Sequence, residues 1–266
     1  MLNNAIKRNN VNVFGKGPKV IVFAHGFGCD QNAWKFLIDS FTEDYTVVLF
    51  DYTGSGKSDH SQYKKEKYNR IEGYVSDLLD VCEALGLKGA VFVGHSVSSM
   101  IGLLAANQHP EYFSKLIFIG PSPRYLNTID YTGGFEQKDL EGLFEFMDSN
   151  YLGWSAAMAP AIMGNEERPE LAEFLTNSFC STDPEIARDF ARVTFFSDNR
   201  SDLSQSTVDS LTLQCSDDII APVSVGLYVN EHTPGNEFVQ LKATGHCPHI
   251  SEPQETIRAI KNYLKN

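Results

Sequence analysis

Gly94-His95-Ser96-Val97-Ser98 follows the apolar run Ala90-Val91-Phe92-Val93 and precedes a helical pattern beginning at Ser99. A serine at a sharp strand-to-helix turn holds its hydroxyl above the carboxyl edge of a sheet, near the positive end of a helix. That placement suits a nucleophile for acyl transfer. Serine is a weak nucleophile near neutral pH unless a base takes its proton, so a histidine must stand at the same edge. His246 is the candidate, because Gly245-His246 follows the last strand-like run and precedes the closing helix. His249, three residues on, is the weaker candidate. The base in turn needs an acceptor on its other nitrogen to fix its tautomer. Asp218 supplies one after the strand-like run Leu211-Thr212-Leu213-Gln214-Cys215, with Asp217 as its nearest competitor. Finally, attack on a carbonyl creates an oxyanion that needs preorganised donors. His25-Gly26-Phe27-Gly28 follows an early strand, which nominates the N–H groups of Phe27 and Val97.

Ser98 stands where a second glycine commonly lets the helix pack close to its strand. A hydroxymethyl group is small, so the expectation is a slightly displaced turn with the nucleophile intact. Two other motifs give way to plainer readings. Gly54-Ser55-Gly56-Lys57-Ser58 lacks the earlier glycine of a phosphate loop and reads as a turn. Cys247-Pro248-His249 would need further ligands to hold zinc, which would also consume the base.

The elements that must position these groups alternate. Strand-like runs at residues 20–24, 46–50, 90–93, 116–119, 211–215 and 238–241 are separated by helical patterns. One such pattern spans Gln31 to Phe41 with Asp30 as its cap, and another runs through Tyr74, Leu78, Val81 and Leu85. Strands apolar on both faces, alternating with helices, predict an α/β fold with a mostly parallel central sheet and helices on both faces. From Ser122 to Leu203 the alternation stops. Helical stretches at 140–150 and 184–193, broken at Pro160-Ala161, Gly164 and Arg168-Pro169, predict a helical cap over residues 122–203, inserted into a core of 1–121 and 204–266.

Composition limits the partners. A net charge of −12 over 266 residues argues against nucleic acid or an anionic membrane, both of which require clustered Lys and Arg. Eighteen phenylalanines suit an apolar cavity as well as a core. Five cysteines without CxxC spacing read as reduced thiols. Residues 1–8 lack the apolar stretch of a secretory signal, so the expected location is cytoplasmic.

The order Ser96, Asp218, His246 is that of the α/β hydrolases. The chain resembles the RsbQ-type α/β hydrolases, bacterial regulators of general-stress sigma-factor signalling, and their plant relatives, the karrikin and strigolactone receptors. The resemblance rests on Ile119-Gly120-Pro121-Ser122-Pro123-Arg124-Tyr125-Leu126-Asn127, Phe179-Cys180-Ser181-Thr182-Asp183-Pro184 and Leu213-Gln214-Cys215-Ser216-Asp217-Asp218-Ile219-Ile220-Ala221-Pro222, besides the stretches at His25 and Ser96. It implies an α/β-hydrolase fold under a four-helix cap, with an apolar pocket walled by Phe27, Tyr125, Phe135, Trp154 and Phe195. It implies no metal or organic cofactor, a small apolar ester or lactone as substrate, and as partner a regulatory phosphatase of a stress pathway. Two rivals use the same residues: a ligand-binding receptor with dispensable turnover, and a cofactor-free haloperoxidase or perhydrolase.

Overall fold

The computed structural model describes residues 2–265; Met1 and Asn266, at the two ends of the expected core, lie outside them. Among the described residues seven strands form one sheet in the order β1-β3-β2-β4-β5-β6-β7. They are β1 (Asn12–Phe14), β2 (Lys19–Ala24), β3 (Tyr45–Leu49), β4 (Ala90–His95), β5 (Phe113–Ile119), β6 (Ser210–Gln214) and β7 (Asn236–Gln240). All neighbours pair parallel except β1, which runs antiparallel to β3. The helices are α1 (Leu2–Arg8), α2 (Lys65–Tyr68), α3 (Ile71–Ala84), α4 (Val97–Gln108), α5 (Gln137–Ser149), α6 (Tyr151–Met163), α7 (Pro169–Cys180), α8 (Pro184–Phe196), α9 (Arg200–Leu203), α10 (Val223–His232), α11 (Pro248–Ser251) and α12 (Pro253–Lys265).

Successive strand residues face opposite sides, and both sides of this sheet are apolar. Val22, Val48, Phe92 and Leu116 pack with Leu78 of α3, Ile101 of α4 and Val229 of α10. Ile21, Val47, Val93 and Ile117 pack on the other face with Trp34, Leu37 and, from α12, Ile257 and Ile260. Two-sided burial is why these strands read as continuous apolar runs. Between β5 and β6 the chain leaves the sheet and forms α5 to α8, whose inward residues make a third apolar cluster with Tyr125, Ile220 and Cys247.

Two local expectations are corrected, and one strand is added. The stretch 31–41 is not one α-helix but two 3₁₀ turns, Gln31–Trp34 and Ile38–Ser40, although Asp30 does cap the first. Its residues Gln31, Trp34 and Leu37, all buried, recur every three positions, which is the 3₁₀ period. Pro160 does not break a helix, since α6 runs through it and stops at Gly164. The short edge strand β1 carried no periodic signal of its own, being only three exposed residues long.

Candidate active site

Three chain segments converge at the carboxyl ends of β4, β6 and β7. Ser96 sits between β4 and α4 with φ 56° and ψ −124°, a conformation an L-residue adopts only under constraint, at a cost of roughly 1–3 kcal/mol. The constraint is visible at Gly94, where a Cβ would lie 2.5 Å from the carbonyl oxygen of Ser98. Ser98 itself is absorbed by the turn: its hydroxyl donates to His25 O at 2.5 Å and lies 3.0 Å from the Tyr52 hydroxyl.

The Ser96 Oγ lies 2.8 Å from His246 Nε2, and His246 Nδ1 lies 2.7 Å from Asp218 Oδ2. A carboxylate only accepts, so Nδ1 carries the proton and Nε2 accepts from the serine. The second oxygen of Asp218 accepts from the N–H groups of Ile220 at 2.8 Å and Ala221 at 3.0 Å, which fixes the carboxylate. Asp217 is exposed and pairs through its backbone with Gly245, away from the imidazole. His249 is fully buried against Trp34, with ring centroids 4.5 Å apart, and does not reach Ser96. Burial first, and then the neighbouring His246, depress its pKa to about 3.

Val97 opens α4, so its N–H has no intrahelical partner. Among the described residues neither that N–H nor the one of Phe27 has an acceptor. Both remain available to an incoming oxygen.

Above these groups lies a narrow cavity. Phe27, Tyr125, Trp154 and Phe195 line it, together with Phe179 and aliphatic side chains of α5, α6 and α7. Phe135 does not. It stands one layer back, donating its N–H to Tyr125 O and packing its ring on Tyr125 and Phe195. Sequence reasoning passed over Phe179, although it lay in a quoted stretch. It also missed the polar end of Tyr125, whose hydroxyl lies 3.2 Å from Ser96 Oγ. Burial raises the pKa of that phenol, and the serine proton already points at His246, so Tyr125 donates to Oγ.

A serine, an imidazole and a carboxylate so connected can deliver an alkoxide-like nucleophile into an apolar space. A family model described as alpha/beta hydrolase fold matches residues 19–253. The chain belongs to the α/β hydrolase family. It is 40% identical to a strigolactone esterase of Pisum sativum, over 92% of this chain and 92% of that protein. It is 36% identical to "Karrikin insensitive 2 receptor CA" of Petunia hybrida, over 96% and 95% of the two chains. Among solved structures, a hydrolase from Oleispira antarctica superposes with a TM-score of 0.97 at 40% identity, covering 100% of this chain and 97% of its own. No described helix of this α/β hydrolase is long and apolar enough to cross a membrane.

Proposed function

We propose that this α/β hydrolase is a serine hydrolase of small apolar esters or lactones. The observation that carries the reading is the unbroken chain Ser96–His246–Asp218, at 2.8 and 2.7 Å, opening into a cavity lined by aromatic rings. Ser96 Oγ attacks the carbonyl carbon while His246 Nε2 takes its proton, and the N–H groups of Phe27 and Val97 hold the oxyanion. His246 returns the proton to the leaving oxygen. A water activated by the same imidazole then cleaves the acyl-enzyme. Asp218 keeps the proton on Nδ1 and stabilises the imidazolium. Residues 122–203 serve as a lid on a core formed by 1–121 and 204–266, and the lid side chains select the acyl group.

The regulatory reading adds that an apolar signal is captured or cleaved in the cytoplasm and that a partner, a phosphatase of a stress pathway, is activated as a result. What supports it is the receptor among the plant relatives, together with the Tyr125 hydroxyl resting on the nucleophile.

The test is hydrolysis of p-nitrophenyl acetate, with a fluorophosphonate label mapped by mass spectrometry. The wild type hydrolyses the ester and is labelled on Ser96, and Ser96→Ala loses on the order of 10⁴-fold or more in kcat. Label on another residue, or turnover surviving in Ser96→Ala, overturns the assignment. If Ser96→Ala still activates a partner, capture rather than cleavage is the signal.

A further inference from the structure

The last turn of an α-helix leaves four carbonyls without intrahelical partners. In α6 one of these carbonyls is satisfied by the loop that carries His246, and another by Asn165, whose side chain also binds that loop. Gly164 N–H takes Pro160 O at 2.9 Å, but Ile162 O accepts from the backbone N–H of His246 itself, at 2.8 Å. Met163 O accepts from Asn165 Nδ2 at 2.8 Å, and the same amide nitrogen reaches across to Thr244 O at 3.1 Å. Arg168 completes the strap. It donates to Ser251 O at 2.7 Å and to Asn165 Oδ1, and it pairs with Glu252 at 3.1 Å.

Contact at this seam is close enough to exclude a side chain. Gly245 has φ +77°, and a Cβ there would lie 1.9 Å from Met163 O. The other side of His246 is held by the nucleophile strand. His95 Nε2 lies 2.9 Å from His246 O, and since a carbonyl only accepts, that nitrogen carries a proton. The peptide groups of His246 are therefore shared, its N–H with α6 and its C=O with β4.

We infer that Asn165 is a positioning residue for His246: by binding Met163 O and Thr244 O together, it makes α6 and the histidine loop move as one body. The base then stands between Ser96 and Asp218 only while the corner between α6 and α7 is seated. The catalytic consequence rests on the hydrolase reading above, whereas the mechanical link does not. Asn165 has φ +58°, a left-handed conformation that asparagine tolerates and glycine adopts freely. Asn165→Gly thus deletes the amide and keeps the backbone. Asn165→Asp keeps the size but sets a carboxylate against two carbonyls.

The experiment measures kcat and KM for p-nitrophenyl acetate and, by proton NMR, the downfield resonance of the His246 Nδ1–H bonded to Asp218. Both variants lower kcat about tenfold with KM inside about twofold of the wild type, because a misplaced base costs rate more than binding. Both also broaden the downfield resonance, without a matching loss of melting temperature. If Asn165→Gly does not fold, Arg168→Met is judged by the same two readouts. A sharp, unshifted resonance with kcat inside about twofold of the wild type overturns the inference. A wild type inert toward esters, with a resonance that Asn165→Gly still broadens, defeats the hydrolase reading and upholds the strap.

Discussion

The floor and the roof of the cavity are held by different physics. On the floor the functional atoms sit in directional bonds: Ser96 with His246, His246 with Asp218, and Asp218 with two backbone N–H groups. The roof is made of rings in tilted or edge contact, with Phe27 5.8 Å from Phe179, 6.2 Å from Trp154 and 6.5 Å from Phe195. Trp154 Nε1 is buried there without an acceptor among the described residues. A directional bond restricts an atom to a few tenths of an ångström, whereas rings held by packing tolerate a range of tilts and offsets. Under the proposed hydrolase function, the contrast gives reaction geometry to the floor and choice of ligand to the roof.

Asp218→Asn breaks the bonding of the floor. The backbone N–H donors would still be met by the amide oxygen, so the fold survives. The amide nitrogen then faces His246 Nδ1 and forces the wrong tautomer, and kcat falls roughly 10⁴-fold. Steady-state ester hydrolysis beside a melting curve checks this. A modest loss of rate with the melting temperature unchanged would show that the floor does not depend on its bonds.

Trp154→Ala attacks the roof instead. The ring packs 5.1 Å from Phe179 and stacks 5.9 Å from Tyr151, and removing it costs about 3 kcal/mol or more of stability. Turnover of a short ester should stay within about tenfold of the wild type, because no floor bond is lost. The new space should favour longer acyl chains, read as a higher ratio of kcat/KM for p-nitrophenyl butyrate over acetate. An unchanged ratio would remove selectivity from the roof.

The same contrast governs what could be read from the sequence. Ser96 and Asp218 each follow a buried strand and His246 follows the half-exposed edge strand β7, and strand patterns are local, so their convergence was legible. Helices α5 to α8 gave weaker signals because they bury their faces against one another and against a cavity. Pro160 looked like a break, yet α6 keeps its course through it, with the carbonyl of Pro160 bonded to Gly164. The resemblance implies both Phe135 and Phe195 as pocket walls, but the bond from Phe135 to Tyr125 O turns the former away from the cavity. The share that α6 takes in holding His246 had no sequence signal, because backbone carbonyls carry no residue identity.

The smallest expected effect tests whether the floor is stiff through its bonds alone. His249 lies beneath it, fully buried, with neither ring nitrogen partnered among the described residues, 4.4 Å from the His95 ring. Its pKa is depressed to about 3, while an unfolded imidazole titrates near the ordinary 6.5. Between those values the unfolded chain holds the extra proton, so acid favours unfolding. Stability lost to this group begins as pH falls through 6.5 and accumulates toward 3 at up to about 1.4 kcal/mol per pH unit. Above pH 6.5 the group is neutral in both states and contributes no slope. His249→Phe keeps a flat ring against Trp34 and removes the titration. Denaturant unfolding between pH 6 and pH 4 should therefore lose about one proton of dependence, with ester turnover near pH 8 within about twofold of the wild type. A pH slope undiminished by the substitution would mean that the acid sensitivity arises elsewhere. A large fall in turnover would mean that packing beneath the floor, and not only hydrogen bonding within it, holds the imidazole of His246 in line.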